Sequence, residues 1–154
     1  MSNLIDKLIE KIKEYNNPTV IGLDPRYEML PNCIKEKYTK DDKSICEGII
    51  EYNKAIIDEI YDIIPAVKPQ LAFYEMFGIE GIKAFKETCK YAKEKGMIVI
   101  ADAKRGDIGS TAAGYSSAYL LPHLRADKRN ASGGIASRGA RGARFLLVST
   151  PRSF

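Results

Sequence analysis

Apolar and polar positions recur with regular periods through the first 120 residues of this 154-residue chain. Aliphatic side chains follow helical spacing over residues 3–15, and Asn3 can cap a helix start, so the pattern predicts a first helix. Residues 19–24 form a short apolar run with β-branched members, which is typical of a buried strand. Pro25 interrupts this run and places Asp24 at the C-terminal end of the predicted strand.

The next segment repeats this strand–helix alternation. Residues 25–40 are predicted to form a loop with a helical turn, and a long helix capped by Asp41 or Asp42 then runs to about residue 61. Its apolar stripe consists of isoleucines, at Ile45, Ile49, Ile50, Ile56, Ile57 and Ile60. Residues 65–71 are a weaker strand candidate because two prolines restrict them.

The third unit has the clearest signals. A helix is predicted over residues 78–95, with Gly96 where a glycine commonly ends a helix. The side chains expected on its apolar face are Ile79, Ile82, Phe85 and Cys89. Residues 97–102 form the strongest strand pattern in the chain, and they lead into a polar cluster and a helix that begins near residues 109–111.

This order indicates an α/β fold with a parallel sheet or a (β/α) barrel. Continuous apolar runs such as residues 20–23 and 98–101 are typical of parallel strands that are buried on both faces. A complete (β/α)8 TIM barrel has eight strands and about 250 residues. If the fold is such a barrel, residues 1–120 supply only three of its strand–helix units.

The composition changes after residue 120. Residues 1–120 hold 17 basic and 19 acidic side chains, whereas residues 121–154 hold 7 basic and 1 acidic, so the net charge of +4 comes from the tail. Isoleucine falls from 18 residues to 1, and lysine gives way to arginine, glycine and alanine. Since these residue types differ in codon composition, we interpret residues 121–154 as a basic tail that is not native to the fold. A genuine basic extension that binds nucleic acid is the less favoured alternative.

Several functional classes are excluded by what the sequence lacks. No apolar run approaches the roughly 20 residues that span a bilayer, and the charged start is unlike a secretory signal, so a cytoplasmic protein is expected. The single histidine, His123, cannot supply a multi-histidine metal site. The three cysteines have neither disulfide nor zinc spacing, and we expect them to be reduced packing residues.

Four ionisable residues fall at the C-terminal ends of three consecutive predicted strands. Asp24 follows the first strand, Lys68 lies at the end of the second, and Asp102 with Lys104 follows the third. In parallel α/β folds this edge is where ligands bind. If the third strand persists through Lys104, Asp102 and Lys104 point the same way, and Asp107 completes a negative–positive–negative series.

Such a series has a defined electrostatic consequence. A lysine flanked by carboxylates stays protonated, because opposite charges favour its charged form. It can then donate a proton and stabilise a developing carbanion. The competing interpretation is that these are solvated loop residues or a structural ion pair.

Three segments resemble one enzyme family. Residues 98–108, which read IVIADAKRGDI, resemble the signature of orotidine 5'-phosphate decarboxylase, while residues 22–26 and 68–75 resemble the family's first and second strands in its longer bacterial branch. The resemblance covers about residues 1–120 and implies that they are the N-terminal part of a (β/α)8 TIM barrel, truncated after three strand–helix units. It implies decarboxylation of orotidine 5'-phosphate to UMP in pyrimidine biosynthesis, without cofactor or metal, by a homodimeric (β/α)8 barrel.

The resemblance also implies roles for single residues. Lys104 would protonate C6 of the pyrimidine after CO2 leaves, and Asp102 would lie beside the departing carboxylate. A carboxylate placed there raises the energy of the bound substrate, although the size of that contribution is contested. Lys68 would complete the charge network and contact the ribose.

Three further roles concern binding and the dimer. Asp24 would bind a ribose hydroxyl. Asp107 would be supplied across the dimer interface to the partner's active site, and Thr111 occupies a position in the same loop that also reaches that site.

Two alternatives stay open. Sugar-phosphate decarboxylases and hexulose-phosphate synthases of the same superfamily share the D-x-K-x-x-D pattern and need magnesium, while a non-catalytic half-barrel would associate with itself or with the missing half. Phosphate is usually held by loops after strands 7 and 8 of such barrels, and no such unit follows here. We therefore expect the chain as written to be weakly active or inactive.

Overall fold

Three parallel strands form the sheet of this protein. The computed structural model describes residues 3–105 and 107–119, and within them β1 (Val20–Leu23), β2 (Ala66–Pro69) and β3 (Ile98–Val99) lie in the order β1-β2-β3. Gly22 is paired with Lys68, and Val67 with Val99. The predicted alternation and the parallel α/β class are confirmed, and Lys68 lies one residue before the end of its strand.

Helix α1 (Leu4–Tyr15) has the cap predicted from the sequence. The Asn3 side chain accepts a hydrogen bond from the Asp6 backbone, and the Asp6 side chain accepts one from the Asn3 backbone, which completes a capping box. Asn16 ends the helix in the left-handed conformation, with φ of 48°. Asparagine tolerates this conformation better than most residues, so the local sequence accounts for both helix ends.

The segment between β1 and β2 contains more helix than expected. A short 3-10 helix (Tyr27–Met29) and α2 (Asn32–Lys37) occupy the predicted loop before α3 (Asp42–Ile60). Asp41 rather than Asp42 caps α3, accepting a hydrogen bond from the Ser44 backbone over 3.1 Å. The buried face of α3 includes Ile45, Ile49 and Ile57 as predicted, but also the polar side chain of Asn53.

The predicted apolar face of α5 (Gly78–Glu94) is wrong at its start. Ile79 is 76% exposed, whereas the residues buried along the helix are small: Gly81, Ala84, Thr88 and Ala92. The reason is close packing on the preceding segment, since a Cβ on Gly81 would lie 1.7 Å from the Tyr74 carbonyl oxygen. Larger side chains such as Phe85 therefore lie at the margin of the contact and are only partly buried.

Strand β2 is shorter than predicted and is followed by an unexpected helical turn. β2 ends at Pro69, and α4 (Ala72–Glu75) begins directly after Leu71, whose backbone is helical. All four residues of α4 are buried. Although the backbone of Leu71 is already helical, its N–H still donates to the carbonyl of Asp102 over 2.9 Å.

Strand β3 is also shorter than the predicted residues 97–102. Regular pairing stops at Val99, but Asp102 forms an isolated parallel bridge with Gln70. On the outer side of β3, a groove of about 570 Å³ is lined in part by Phe85 and Cys89 of α5 and by Val99 and Ala101. Helix α6 (Gly109–Tyr119) begins where predicted.

The remaining predictions have mixed outcomes. Cys46 is buried and Cys89 is half-buried, but Cys33 is exposed, so the prediction of three packing cysteines is wrong for Cys33. No helix among the described residues is both long and apolar enough to cross a membrane. The predicted tail over residues 121–154, including His123, lies outside the described residues.

Candidate active site

Lys68 brings the first charge to the C-terminal edge of the sheet. Its ammonium lies 3.4 Å from a carboxylate oxygen of Asp102, and the lysine side chain is partly exposed. Because Lys68 is within β2, its backbone is fixed by pairing with Gly22 on β1. The ammonium of Lys68 thereby lies beside Asp102, which follows β3 in the chain.

Asp102 is fixed through its backbone although β3 has already ended. Its N–H donates to the carbonyl of Pro69 over 3.1 Å, and its own carbonyl accepts the N–H of Leu71 over 2.9 Å. The carboxyl side chain is only 13% exposed. The backbone of Asp102 is therefore hydrogen-bonded to the end of β2 in the pattern of a parallel strand pair.

Lys104 lies between two carboxylates. Its Nζ is 3.0 Å from Asp102 Oδ2 and 3.1 Å from Asp107 Oδ2. These side chains were predicted to point the same way if the third strand persisted through Lys104. That condition is not met, because the strand ends earlier. The alternating series nevertheless forms, because the ammonium of Lys104 contacts both carboxylates.

The charges of this network reinforce one another. Hydrogen bonding from Lys104 lowers the pKa of Asp102 below its ordinary value, and the nearby ammonium of Lys68 acts in the same direction. Hydrogen bonds to Asp102 and Asp107 raise the pKa of Lys104. The pKa of Asp107 is lowered, first by the backbone N–H of Ile108 and then by Lys104. At neutral pH the network holds two carboxylates and a protonated lysine, the state that the sequence predicted for Lys104.

Two predicted site residues lie apart from this network. Asp24 is exposed just after β1, and Thr111 is partly buried in the first turn of α6. Within the part of the chain that the structure describes, no hydrogen bond or ion pair joins either side chain to Lys68, Asp102, Lys104 or Asp107. The structure therefore brings four of the six predicted residues together.

An ion pair beside the network was missed by the sequence analysis. The guanidinium of Arg105 donates to Glu75 Oε1 from Nε over 3.1 Å and from Nη2 over 2.7 Å. Glu75 belongs to α4, and its side chain is 4% exposed. An acidic residue within the otherwise apolar residues 71–77 was a signal for a buried partner, because carboxylates are seldom buried without one.

A second missed contact connects helix α6 with the end of β2. The hydroxyl of Tyr115 donates to Gln70 Oε1 over 3.0 Å, and both residues are buried. Gln70 is also the bridge partner of Asp102. Nothing in the local pattern around Tyr115 pointed to Gln70, since the two residues are 45 positions apart.

Among residues 3–105 and 107–119, no group of three or more His, Cys, Asp or Glu side chains is placed to hold a metal ion. The expectation of a reaction without metal or cofactor stays a prediction.

Curated proteins of known family are similar to this chain over most of its length. A protein from Petrotoga mobilis named orotidine 5'-phosphate decarboxylase is 39% identical over 124 residues, which are 80% of this chain and 41% of the relative. A protein of the same name from Clostridium tetani is 41% identical over the same length and shares. The chain thus spans about two fifths of the length of the curated relatives it matches.

Solved structures give the same relationship. A structure from Streptomyces avermitilis, provisionally assigned as orotidine 5'-phosphate decarboxylase, matches with a TM-score of 0.56 and 30% identity, over 78% of this chain and 39% of that one. The OMP decarboxylase of Leishmania donovani matches with a TM-score of 0.50 and 32% identity, over 80% of this chain and 41% of that one. These barrels confirm that the three-stranded sheet is part of a (β/α)8 fold.

The match to a family profile extends beyond the residues that the structure describes. Residues 6–141 match the profile described as the orotidine 5'-phosphate decarboxylase / HUMPS family. The match continues beyond residue 120, and the division of the chain at that position stays a prediction. With the match extending over most of the chain, and with curated relatives named after the same enzyme, this protein belongs to the orotidine 5'-phosphate decarboxylase / HUMPS family.

Proposed function

We propose that this chain carries the part of an orotidine 5'-phosphate decarboxylase active site formed by the first three strands, and that the intact enzyme converts orotidine 5'-phosphate to UMP. The observation that supports this most is the network in which Lys104 lies between Asp102 and Asp107, with Lys68 at the same Asp102 oxygen as Lys104. The names of the curated relatives favour this substrate, and no comparison favours the magnesium-dependent alternatives.

In the proposed reaction, the bond between C6 of the pyrimidine and its carboxylate breaks, and CO2 leaves. The electron pair stays at C6, where the ammonium of Lys104 stabilises it and then donates a proton. The raised pKa of Lys104 keeps that proton available at neutral pH. Solvent returns a proton to the neutral amine after UMP leaves, so the lysine is ready for another turnover.

Asp102 has a second proposed role beside the substrate. Its carboxylate would lie next to the substrate carboxylate and disfavour the bound ground state, while orienting Lys104. Lys68 would offset part of this negative charge and contact the ribose. Asp24, at the end of β1, would bind a ribose hydroxyl, which is compatible with its exposed side chain.

Assembly and location are further parts of the proposal. We propose a cytoplasmic homodimer in which Asp107 and Thr111 reach the partner's active site. The remaining strand–helix units of the barrel would pack on the outer side of β3, where the groove beside α5 presents Phe85 and Val99. The sheet edge there must be covered in a closed barrel.

A chimaera tests the decarboxylation directly. Residues 1–119 of this chain would replace the matching segment of the Petrotoga mobilis relative, and release of labelled CO2 from carboxyl-labelled orotidine 5'-phosphate would be measured. We expect an active chimaera, and a fall in kcat of about 10²- to 10⁴-fold or more in its Lys104→Ala variant, the range typical of a lost general acid.

The matched control is Lys83→Ala, which removes an exposed lysine that pairs with Glu80 on α5. It is expected to leave kcat unchanged. A folded chimaera without decarboxylase activity would contradict the proposed function, whereas full activity of the Lys104→Ala chimaera would contradict only the role given to that lysine. The 154-residue chain, assayed in parallel, tests the expectation of weak or absent activity.

A further inference from the structure

The residue after Lys104 has an unusual backbone conformation. Arg105 has φ of 56°, in the left-handed region that non-glycine residues seldom adopt. Such a conformation persists only where surrounding contacts hold it. The contacts made by Arg105 therefore bear on how the loop between Asp102 and Asp107 keeps its shape.

Glu75 supplies the most specific of these contacts. One of its carboxylate oxygens accepts two hydrogen bonds from the Arg105 guanidinium, and its side chain is almost fully buried in α4. Charge-assisted bonds of this kind are shorter and stronger than neutral ones. The planar guanidinium restricts the direction of approach, so Glu75 fixes both the place and the orientation of Arg105.

The backbone of Arg105 also acts on Tyr115 of helix α6. Burial raises the pKa of Tyr115, and the Arg105 backbone opposes that shift, while the Tyr115 hydroxyl donates to Gln70. Gln70 in turn bridges to Asp102. Lys104 thus lies between two fixed points, Asp102 on its N-terminal side and Arg105 on its C-terminal side.

We propose that Glu75, acting through Arg105, is a positioning residue that holds Lys104 between Asp102 and Asp107. The significance of this positioning for proton donation rests on the proposed function, but the positioning itself does not. Without the contact between Glu75 and Arg105, the backbone at Arg105 would relax from the left-handed conformation. The ammonium of Lys104 would then spend less time paired with both carboxylates.

The test measures pairing of Lys104 without substrate. The full 154-residue chain would be trace-labelled with acetic anhydride at neutral pH, and acetylation of Lys104 would be quantified by mass spectrometry relative to Lys7, an exposed lysine on α1. A paired ammonium reacts slowly because only the unprotonated amine is nucleophilic. We expect severalfold faster labelling of Lys104 in the Glu75→Gln variant than in the parent protein.

Two Arg105 variants separate positioning from a simple effect of charge. Removing the negative charge of Glu75 would by itself favour the neutral lysine, whereas removing the positive charge in Arg105→Gln would favour the protonated one. Loss of positioning predicts faster labelling of Lys104 in both Glu75→Gln and Arg105→Gln. Arg105→Lys retains the charge but loses the two-pronged contact, so the proposal predicts faster labelling there as well.

The matched control is Glu87→Gln, which breaks an ion pair with Lys54 between α5 and α3. This control should leave the labelling ratio of Lys104 to Lys7 unchanged. For every variant, the dispersion of amide NMR signals shows whether the protein is folded. If Glu75→Gln does not fold, Arg105→Lys decides the question. The proposal is overturned if Arg105→Lys labels like the parent protein, or if Glu75→Gln and Arg105→Gln shift the ratio in opposite directions. Either result is independent of whether the chimaera decarboxylates.

Discussion

The hydroxyl of Tyr74 donates a hydrogen bond to the carbonyl oxygen of Leu23 over 3.1 Å, joining α4 to the last residue of β1. The same hydroxyl accepts a hydrogen bond from Asn53 on α3, and Asn53 also donates to Thr88 on α5. Since all of these side chains are buried, a polar network crosses the interior and reaches the end of β1. Burial raises the pKa of Tyr74 above its ordinary value, so the hydroxyl stays protonated and can donate at neutral pH.

Removing this hydroxyl should destabilise the fold. In Tyr74→Phe, the Leu23 carbonyl and an Asn53 amide hydrogen lose a buried partner, and we expect the free energy of unfolding to fall by about 1–3 kcal/mol. Urea denaturation followed by circular dichroism measures the change. The control Tyr61→Phe alters an exposed tyrosine and should change stability by no more than about 0.5 kcal/mol. Equal changes in the free energy of unfolding in the two variants would show that the buried Tyr74 hydroxyl does not stabilise the fold.

Close packing at Gly81 gives a second prediction. A Cβ at this position would lie 1.7 Å from the carbonyl oxygen and 2.6 Å from the carbonyl carbon of Tyr74. These are backbone atoms that cannot move aside without shifting α4, so Gly81→Ala should cost about 3 kcal/mol or more or prevent folding, despite the higher helix propensity of alanine.

The control for this substitution is Gly22→Ala. A Cβ at Gly22 would lie 3.6 Å from the Asp24 carboxylate, an ordinary contact distance. Alanine is about 0.5–1 kcal/mol more favourable than glycine within a strand. Thermal unfolding should therefore show little loss of stability in this variant, and a native-like melting temperature for Gly81→Ala would contradict the packing described here.

The pH dependence of the charge network follows from the direction of each shift. The pKa of Asp102 lies below its ordinary value of 3.8, first because of Lys104, so its contribution to stability is complete above that value and is lost as pH falls through the folded pKa. Carbon-13 NMR of the Asp102 carboxyl should give a midpoint below 3.8. In Lys104→Met this midpoint should move up toward 3.8, whereas in Lys83→Met it should stay where it is.

Lys104 responds at the opposite end of the pH range. Its pKa is raised above the ordinary value of 10.5 by Asp102 and Asp107, so the stability it contributes is present below 10.5 and is lost as pH rises through the folded pKa. An Asp102 midpoint that does not respond to Lys104→Met would mean that the two side chains are not paired in solution.

The three cysteines should differ in reactivity. Cys33 is exposed, Cys89 is half-buried in the groove beside β3, and Cys46 is buried. Burial also raises the pKa of the Cys89 thiol, which lowers the fraction of reactive thiolate. Iodoacetamide labelling followed by mass spectrometry should modify Cys33 first, Cys89 more slowly and Cys46 last.

Labelling in concentrated urea provides the control for this order. The three thiols should then react at similar rates, because unfolding removes the differences in burial. Rapid modification of Cys46 in the folded protein would contradict the packing of α3 against α2 and α4.

The order of helices and strands was predictable because it depends on local patterns. Asn3 caps α1 and Asp41 caps α3 through hydrogen bonds to backbone groups three residues away, and Gly96 adopts φ of 80° just after α5. The placement of Lys68, Asp102 and Lys104 at one edge followed from strand order alone, since the C-terminal ends of parallel strands meet there.

Local sequence patterns were therefore enough for the order of the three strands, for helices α1, α3, α5 and α6, and for the edge at which the charges collect. The buried face of α5, the place of Asn53 in the core and the contact between Glu75 and Arg105 depend on tertiary packing. Those features depend on how closely segments far apart in the chain approach one another. Periodicity reports the geometry of a single element, whereas a buried polar pair or a glycine contact is set by the backbone of its neighbour.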